Sequence, residues 1–330
     1  MRALVTGATG MIGPALVNKL LAEGWNVRIL VRRPADPALF AAAVETAAGD
    51  IGDHKALPAA MEGVEVVFHL AAKLHLNQPS PQQVHDYQRV NVDGALNVAA
   101  AAVDAGVKRM VHFSTISVYG PSRGRDPFTE ASPLNPQSLY AATKRQSEEG
   151  VRKMFHNNSR SSAVVLRLAA VYGPRLQGNY RSLVKALQNG LFWPVGSGQN
   201  RRTMIYIDDL VRATIQAAQH PKAAGAVFNV TDGRIHTLNE VIAAIAKALG
   251  KKPPRLHLPS RPVRSMATLV DATTARLRMP APSFGLLIDK LTEDVAAYGD
   301  NLCRQLSFRP EFDIEHGWQA ALASRQPFRS

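Results

Sequence analysis

Residues 2–13 read Arg-Ala-Leu-Val-Thr-Gly-Ala-Thr-Gly-Met-Ile-Gly, and this stretch decides the fold. Residues 2–6 predict a buried strand, and an amphipathic helix is predicted to follow and to run to about Glu23. Glycines between a strand and a helix allow a tight turn, so that the amino terminus of the helix can receive a pyrophosphate. The spacing is GxxGxxG rather than GxGxxG, but its place between strand and helix favours a dinucleotide site. The expected contacts are Gly7, Thr9, Gly10, Met11, Ile12 and Gly13.

Strand and helix patterns alternate from this turn as far as Pro174. The alternation predicts an α/β fold with a Rossmann-type, doubly wound parallel sheet. We expect residues 1–173 to form the dinucleotide-binding domain, with returns near 204–231. Residues 174–203 and 232–330 are expected to form a smaller, mostly helical substrate-binding lobe. Such a lobe would cap the carboxyl edge of the sheet, where ligands of open α/β sheets bind.

Two arginines, Arg32 and Arg33, follow the second predicted strand. An NAD site usually carries an acidic residue at this point, which accepts from the ribose hydroxyls. Guanidinium groups would instead pair with the 2′-phosphate of NADP. The sequence therefore favours NADP over NAD, although a solvated loop after the strand would carry the same residues.

The next two strand ends also carry candidate cofactor contacts. Asp50 and Ile51 follow the third strand, where a polar acceptor and an apolar wall could flank an adenine. After the fourth strand, the expected contacts are Leu70, Ala71 and Ala72, because small residues let a cofactor pass closely. Asn91 is expected to begin an Ala-rich helix that runs to about Ala105, either as a plain helix cap or as the residue that holds the catalytic helix in register.

The candidate catalytic residues are Thr115, Tyr140 and Lys144. Thr115 lies where a short apolar strand ends, and the other two are four residues apart in a helical segment, so that they share one face. A cation beside a phenol lowers the pKa of that phenol from about 10 towards neutrality. The tyrosine could then exchange a proton with a substrate oxygen, to which the threonine hydroxyl would add a hydrogen bond. This arrangement suits hydride transfer at a carbonyl carbon.

A formal net charge of +13 raises the possibility of a nucleic-acid partner. However, the basic residues form no long run and aromatic residues make up only 6% of the chain, whereas stacking on bases requires aromatics. Small anionic ligands account for the same charge, so no nucleic-acid partner is expected. Cys303 is the single cysteine, which excludes a disulfide framework and fits a reducing compartment.

Neither a signal peptide nor an apolar run of about 18 residues is visible, so we expect a cytoplasmic protein with no membrane partner. The ten histidines lack the spacing of metal ligands, and no metal site is expected.

Taken together, these motifs resemble the extended short-chain dehydrogenase/reductases, the NAD-dependent epimerase/dehydratase group. The features that carry the resemblance span residues 1 to about 232 in the family's order. They are Thr6-Gly7-Ala-Thr-Gly10-Met-Ile-Gly13, Gly49-Asp50-Ile51, His69-Leu70-Ala71-Ala72, Asn91, Ser114-Thr115, Tyr140-x-x-x-Lys144, Arg167 with Val171-Tyr172-Gly173-Pro174, and Arg202 before Tyr206-Ile207-Asp208-Asp209.

The resemblance implies roles for several residues. Tyr140 would be the acid/base, and Lys144 would hold the nicotinamide ribose and tune Tyr140. Ser114, Ala170 and Val171 would complete the cofactor contacts. Gly178-Asn179-Tyr180 and Asn200-Arg201-Arg202-Thr203 look like the subgroup that acts on nucleotide-linked sugars in bacterial surface-polysaccharide pathways. Asn179 and Arg202 would then hold the substrate diphosphate.

Departures from the family pattern point to one reaction within that subgroup. Ala170 stands where many sugar epimerases carry Asn, and Arg32-Arg33 replaces the usual acidic residue, so both favour an NADP(H)-dependent 4-keto-sugar reductase. Ile116 and Ser117 replace the Asp-Glu pair of the dehydratases, which argues against dehydration. Residues 259–285 match the pattern poorly.

Alternative functions remain open at this point. They are a UDP-sugar 4-epimerase, a hydroxysteroid or flavonol-type alcohol dehydrogenase, and a non-catalytic NADP-binding redox sensor. The resemblance also implies a homodimer, in which the Ala-rich helices that begin near Asn91 and Ser138 pair across the two chains.

Overall fold

The computed structural model describes residues 1–74, 81–122, 126–156, 158–276, 285, 288–289 and 292–323. Its strands are β1 (Arg2–Thr6), β2 (Asn26–Val31), β3 (Glu45–Ala48), β4 (Val66–His69), β5 (Arg109–Thr115), β6 (Ser162–Leu168), β7 (Ala170–Tyr172), β8 (Arg201–Arg202), β9 (Met204–Tyr206), β10 (Val227–Val230) and β11 (His236–Thr237).

The helices alternate with the strands over the first two thirds of the chain. They are α1 (Gly13–Ala22), α2 (Leu57–Met61), α3 (Pro81–Tyr87), α4 (Gly94–Asp104), α5 (Leu139–His156), α6 (Gly178–Gln188), α7 (Ile207–Gln219), α8 (Leu238–Ala248), α9 (Ser260–Arg276), α10 (Asp300–Leu306) and α11 (Ile314–Ala323). A π-helical turn, Gln88–Asp93, joins α3 to α4.

The central sheet has seven strands in the order β10-β6-β5-β4-β1-β2-β3, and every pair in it is parallel. The direction of winding reverses between β1 and β4, which are neighbours although two strands separate them in sequence. A reversal of this kind opens a crevice at the carboxyl ends of the two strands. The predicted α/β fold with a doubly wound parallel sheet is confirmed.

Two apolar layers cover the faces of the sheet. Ala3 and Val5 of β1 face a layer that contains α1, α7 and α10, whereas Leu4 faces α2, α4 and α5. Successive side chains of a strand point to opposite faces, so a strand buried on both sides is apolar throughout. Burying each Leu or Val of this kind stabilises the fold by about 1.5–3 kcal/mol.

The second lobe packs α6, α8 and α11 around Trp318, which is fully buried and stacks on Tyr172 with ring centroids 4.6 Å apart. A capping box fixes the start of α8, since the Thr237 hydroxyl accepts from the Glu240 amide while the Glu240 carboxylate accepts from the Thr237 amide. Strands β7 and β9 form a separate two-stranded sheet, and β10 extends the central sheet beside β6.

One predicted boundary is wrong. Asn91 does not begin a helix, because the helix already starts at Pro81 and Asn91 lies in the π-helical turn. Its amide bonds elsewhere in the fold, and this tertiary pairing overrides its preference for a cap position. Within the return expected near 204–231, β9 ends at Tyr206 and α7 begins at Ile207.

Candidate active site

The glycine-rich turn between β1 and α1 has the shape of a phosphate cradle. Gly7 has φ +73°, and a Cβ placed on it would lie 2.6 Å from the Ala71 amide nitrogen, so that only glycine lets the turn pass the loop after β4. A Cβ on Gly10 would meet only the Gly7 carbonyl oxygen, at 3.2 Å, which leaves open space over the turn. Gly13 packs directly on the backbone of Ala8. The turn thus fits a dinucleotide pyrophosphate.

Helix α1 offers its amino terminus to this cradle. No side chain caps the helix at Ile12, and its first turn contains no acidic residue. The unpaired N–H groups and the positive end of the helix dipole attract an anion there. Met11 and Ile12 pack against the cluster of the second lobe, together with Ala170 and Val171. The four residues thus bring the turn and the start of β7 to one place, as a shared cofactor site requires.

The residues beyond β2 and β3 form the candidate site for the adenosine ribose. The Arg32 guanidinium lies 3.8 Å from the Asp50 carboxylate and is 73% exposed, and Arg33 is exposed as well. Asp50 accepts a hydrogen bond of 2.8 Å from the Gly52 amide. The Ile51 side chain is buried against Gly94 at the start of α4. Arg32 and Arg33 therefore offer cations at the edge of the crevice.

The loop after β4 is held in place by Asn91. The Asn91 side chain accepts from the Lys73 amide at 2.7 Å, and it donates to the Lys73 carbonyl at 3.1 Å and to the Thr143 hydroxyl at 3.1 Å. Thr143 lies beside Lys144 in α5, so one buried amide joins the loop of Ala71 and Ala72 to the catalytic helix. Of the two roles predicted for Asn91, the contacts match the one that keeps this helix in register.

Thr115 ends β5 and directly precedes a short 3₁₀ turn, Ile116–Tyr119. The Thr115 hydroxyl caps this turn by accepting a hydrogen bond from the Ser117 amide. The strand and α5 are joined below this point by two buried contacts. The Ser114 hydroxyl donates to Glu148, and the His112 ring and the Ser147 hydroxyl are 3.0 Å apart. Lys144 precedes Glu148 by one turn, so it lies nearer the carboxyl edge, on the level of Thr115.

Tyr140 and Lys144 begin α5, and Lys144 is 2% exposed whereas Tyr140 is half-buried. Burial lowers the pKa of the Lys144 ammonium to about 8, although the Glu148 carboxylate acts in the opposite direction. The expected lowering of the Tyr140 pKa does not occur in the protein alone. Burial and the neighbouring Tyr87 phenol raise that pKa instead.

Two neutral histidines lie beside Lys144. The rings of His69 and His112 stack with centroids 5.5 Å apart, and His69 shares a 2.8 Å hydrogen bond with the Thr6 hydroxyl. Burial first and the Lys144 charge second lower the pKa of His69 to about 3, and the same effects lower that of His112. Both rings thus stay uncharged at neutral pH, which leaves the ammonium as the local cation.

A buried chain of polar groups continues from Glu148, and sequence reasoning missed most of it. Arg167 bonds to both oxygens of Glu148 and donates to the Tyr119 hydroxyl at 2.8 Å. Tyr119 in turn donates to the Asn229 side chain at 2.8 Å. Tyr87, which lies near Tyr140 and donates to the Leu74 carbonyl, was not predicted either. Of these residues, only Arg167 belongs to the motifs that carry the family resemblance.

The two residues expected to hold a diphosphate lie at the start of α6 and in β8. Asn179 is exposed in the first turn of α6, which no side chain caps. Arg202 donates to the Glu293 carbonyl and pairs through its backbone with His236. Helix α6 packs on α8, and β8 pairs with β11, which directly precedes α8. Burial raises the pKa of Tyr180, and the Arg202 charge acts in the opposite direction. The fold brings both predicted groups to one region.

Among the described residues, no helix combines the length and the apolar character needed to cross a membrane. The same part of the chain contains no cluster of three or more His, Cys, Asp or Glu residues that could hold a metal ion.

Residues 3–231 match the NAD dependent epimerase/dehydratase family. The match covers the glycine turn, the Tyr140–Lys144 helix and Arg202, which are the parts that the structure brings to the carboxyl edge of the sheet. The chain belongs to this family, and its relatives are oxidoreductases and epimerases that use a nicotinamide cofactor.

Three similar proteins illustrate the range of the family. N-acetyl-alpha-D-glucosaminyl-diphospho-ditrans,octacis-undecaprenol 4-epimerase of Escherichia coli O157:H7 is 31% identical, over 78% of this chain and 75% of its own. UDP-glucose 4-epimerase of Vibrio cholerae is 32% identical, over 78% of each. The solved structure of MoeE5 in complex with UDP-glucose and NAD is 26% identical, covers 98% of both chains and superposes with a TM-score of 0.76.

Proposed function

We propose that the protein is an NADP(H)-dependent oxidoreductase that reduces the 4-keto group of a diphosphate-linked sugar, in a pathway of surface-polysaccharide synthesis. The observation that carries this proposal is the placement of Tyr140 and Lys144 at the start of α5, level with Thr115 and across the crevice from the glycine turn. A diphosphate-linked sugar is supported by Arg202 near the start of α6. Nucleotide-linked sugars are the first substrates to test, since MoeE5 was solved with UDP-glucose.

The chain's own groups supply the proton in this reaction. A bound reduced nicotinamide supplies the hydride to the carbonyl carbon. The Thr115 and Tyr140 hydroxyls donate hydrogen bonds to the carbonyl oxygen, and the Tyr140 proton passes to that oxygen as the negative charge develops. Burial raises the pKa of Tyr140, which keeps the phenol protonated at neutral pH, the form that an acid needs. Lys144 stabilises the phenolate that remains.

NADP(H) is the proposed cofactor because Arg32 and Arg33 follow β2 and no acidic residue directly follows Val31. Their guanidinium groups match the geometry of a phosphate, and their exposure leaves them accessible to it. NAD is named with several similar solved structures, so it is the cofactor to compare.

The substrate site is tested by Arg202→Ala, with titration calorimetry of a UDP-sugar and of NADP(H). Removing a charge-assisted hydrogen bond to a phosphate costs about 1.5–3 kcal/mol, so the UDP-sugar should bind roughly tenfold or more weakly while NADP(H) binds as before. Arg304→Ala is the control, because Arg304 is an exposed arginine on α10, which carries neither of the two proposed diphosphate ligands. Unchanged affinity for the UDP-sugar would remove the main support for a diphosphate-linked substrate.

A 4-epimerase is the second candidate, and the names of two relatives favour it. An epimerase returns the hydride to the same carbon and therefore needs no net supply of reduced cofactor. Stoichiometric oxidation of NADPH by a 4-keto sugar nucleotide would support the reductase. Interconversion of UDP-glucose and UDP-galactose, without added reduced cofactor, would establish the epimerase instead.

We further propose that residues 1–173, with returns near 204–231, form the cofactor domain and that residues 174–203 and 232–330 form the substrate lobe. Two contacts support this division: β10 pairs with β6, and α7 packs on α1.

A further inference from the structure

The second lobe exposes several large apolar side chains, which lie in three segments of the chain. They are Leu191, Trp193, Leu256, Leu258, Met266, Leu269 and Val270. Three of them are mostly exposed to solvent: Leu256 by 72%, Leu269 by 69% and Leu191 by 67%. Single exposed apolar residues are common on soluble proteins, but a group of this size marks an interaction site.

Helix α9 has one broad apolar face made of two adjacent stripes, of which the described residues cover only one. Val263 and Ala267 pack against Val195 and Ile288 in a small cluster. Met266, Leu269 and Val270 are spaced i, i+3 and i+4, so they form a second stripe, and all three are exposed. A helix of this kind buries one stripe within the protein and presents the other to a partner.

The remaining apolar residues adjoin the start of α9. Leu258 donates its amide to the Pro194 carbonyl and accepts from the Gly196 amide, which sets the segment 191–196 beside 256–258. Lys251 donates to the Gln188 carbonyl, so the two segments also run together farther back. Helix α9 then begins at Ser260. We call the surface of residues 191–193, 256–258 and the outer stripe of α9 the docking surface.

Positive charge accompanies this apolar surface. Residues 251–276 contain six Lys or Arg residues and one acidic residue, Asp271. The Asp271 carboxylate accepts from the Gly285 amide, so it is engaged within the lobe. Lys252 and Arg255, which precede Leu256 by four residues and by one, are exposed. An apolar stripe bordered by basic residues is the pattern of helices that lie on anionic lipid surfaces.

We propose that the docking surface binds the surface of an anionic phospholipid bilayer, with the apolar stripe of α9 in the acyl boundary and the basic residues among the headgroups. This departs from the expectation, from sequence, of no membrane partner. It requires no spanning helix, because a helix that lies in the interface inserts one face only.

The docking surface lies next to the elements proposed to hold the diphosphate. Arg261 and Arg264, in the first turns of α9, line a cleft of about 330 Å³ together with Ser197, Gly198 and Asn200. The loop of Asn200 continues into Arg202. If the proposed function holds, the substrate class this placement favours is a sugar whose diphosphate is carried on a membrane lipid, the class named for the Escherichia coli relative.

The test is co-sedimentation of the full chain with vesicles, which needs no turnover and is therefore independent of the proposed function. Vesicles of phosphatidylcholine with phosphatidylglycerol should bind the protein, those of phosphatidylcholine alone should bind it less, and salt should weaken the binding. Met266→Ser/Leu269→Ser should lower the partition coefficient by about tenfold or more. Val270→Ser and Val84→Ser form a matched pair, 41% and 42% exposed, of which only the first should weaken binding.

Charge is tested separately with Lys252→Glu/Arg255→Glu, against the control Lys222→Glu/Arg304→Glu on exposed sites elsewhere. Circular dichroism and NADP(H) binding establish that each variant is folded. Wild-type protein that stays in the supernatant with the anionic vesicles would overturn the proposal, as would an α9 double variant that sediments like the wild type. Wild-type oligomers that this variant disperses in light scattering, without vesicle binding, would assign the surface to a second copy of the chain.

Discussion

Glu148 of α5 and Arg167 of β6 form an ion pair of 2.7 Å, in which the two side chains are only 2% and 5% exposed. The guanidinium also bonds to Tyr119, and the carboxylate accepts from Ser114 at the end of β5. The pair therefore ties the catalytic helix to two strands of the sheet, one helical turn below Lys144. It offsets its desolvation through hydrogen bonds that occupy both partners.

Breaking this pair should destabilise the protein strongly. Glu148→Ala leaves a buried, uncompensated guanidinium, and we expect a loss of about 3–5 kcal/mol in the free energy of unfolding. The next residue supplies a matched control, because Glu149 pairs with Arg145 at 2.8 Å with side chains 57% and 43% exposed. Glu149→Ala should cost at most about 1 kcal/mol. Urea unfolding of both variants measures the difference, and equal losses would contradict the assigned role.

Tyr140→Phe should lower turnover by roughly 10²–10⁴-fold while cofactor affinity is kept, because it removes the proton donor and leaves the ring. Steady-state kinetics and fluorescence titration of NADPH measure the two quantities. Tyr298→Phe, at an exposed tyrosine, is the control. Near-full activity of Tyr140→Phe would show that another group supplies the proton.

The stability of the protein should fall as the solution is acidified, in part through His69. The folded-state pKa of His69 is about 3, below the unfolded value of about 6.5, so the folded state keeps the ring neutral. Its contribution is complete above about pH 6.5 and is lost as pH falls towards 3, by up to about 1.4 kcal/mol per pH unit. His69→Gln should therefore flatten the dependence of unfolding free energy on pH in this window. The same change at the exposed His54 should leave the slope as it is.

Arg32→Ala/Arg33→Ala should weaken NADP(H) binding by about 1.5–3 kcal/mol for each guanidinium–phosphate hydrogen bond that is removed, with little effect on NAD(H). Calorimetric titration with both cofactors at one ionic strength gives the comparison, since an exposed ion pair is screened by salt. Wild-type protein that binds NAD(H) as tightly as NADP(H) would contradict the assignment of the 2′-phosphate site.

The homodimer implied by the family resemblance stays a prediction. Leu96 of α4 packs on Gly150 of α5, so the two helices already pack together within one chain. A dimer interface of four helices requires two such pairs. Ala100→Arg places a bulky charge on the partly exposed face of α4 and should shift the mass in light scattering from dimer to monomer. Ala224→Arg, at an exposed site elsewhere, should not. A wild-type mass equal to one chain would refute the dimer.

The parts of the site that local pattern determines were predictable from sequence. Glycines between strand and helix, polar residues at strand ends, and Tyr140 four residues before Lys144 each carry their signal within a few neighbours. The buried chain of polar groups was not predictable, since Tyr119 and Asn229 are 110 residues apart and no spacing rule joins them. The direction of the Tyr140 pKa depends on burial and on Tyr87, and both arise only when the chain has folded.

The uncovered stripe of α9 was also beyond local pattern. Apolar residues recur every three to four positions along Ser260–Arg276, which indicates a helix but not which part of its apolar face the lobe covers. That follows from contacts with Val195, which lies well before the helix in sequence, and with Ile288, which follows it.

The π-helical turn that carries Asn91 has a consequence for how the chain tolerates insertions and deletions. A π-helical ring closes on the residue five positions back, one more than in an α-helix, so Gln88–Asp93 holds one residue beyond what a regular helix needs. Deleting a single residue there should leave a continuous helix. It also rotates Tyr87 and the rest of α3 about the axis relative to α4. Deleting one residue of this turn would thus separate the loop after β4 from α5, although the change in chain length is minimal.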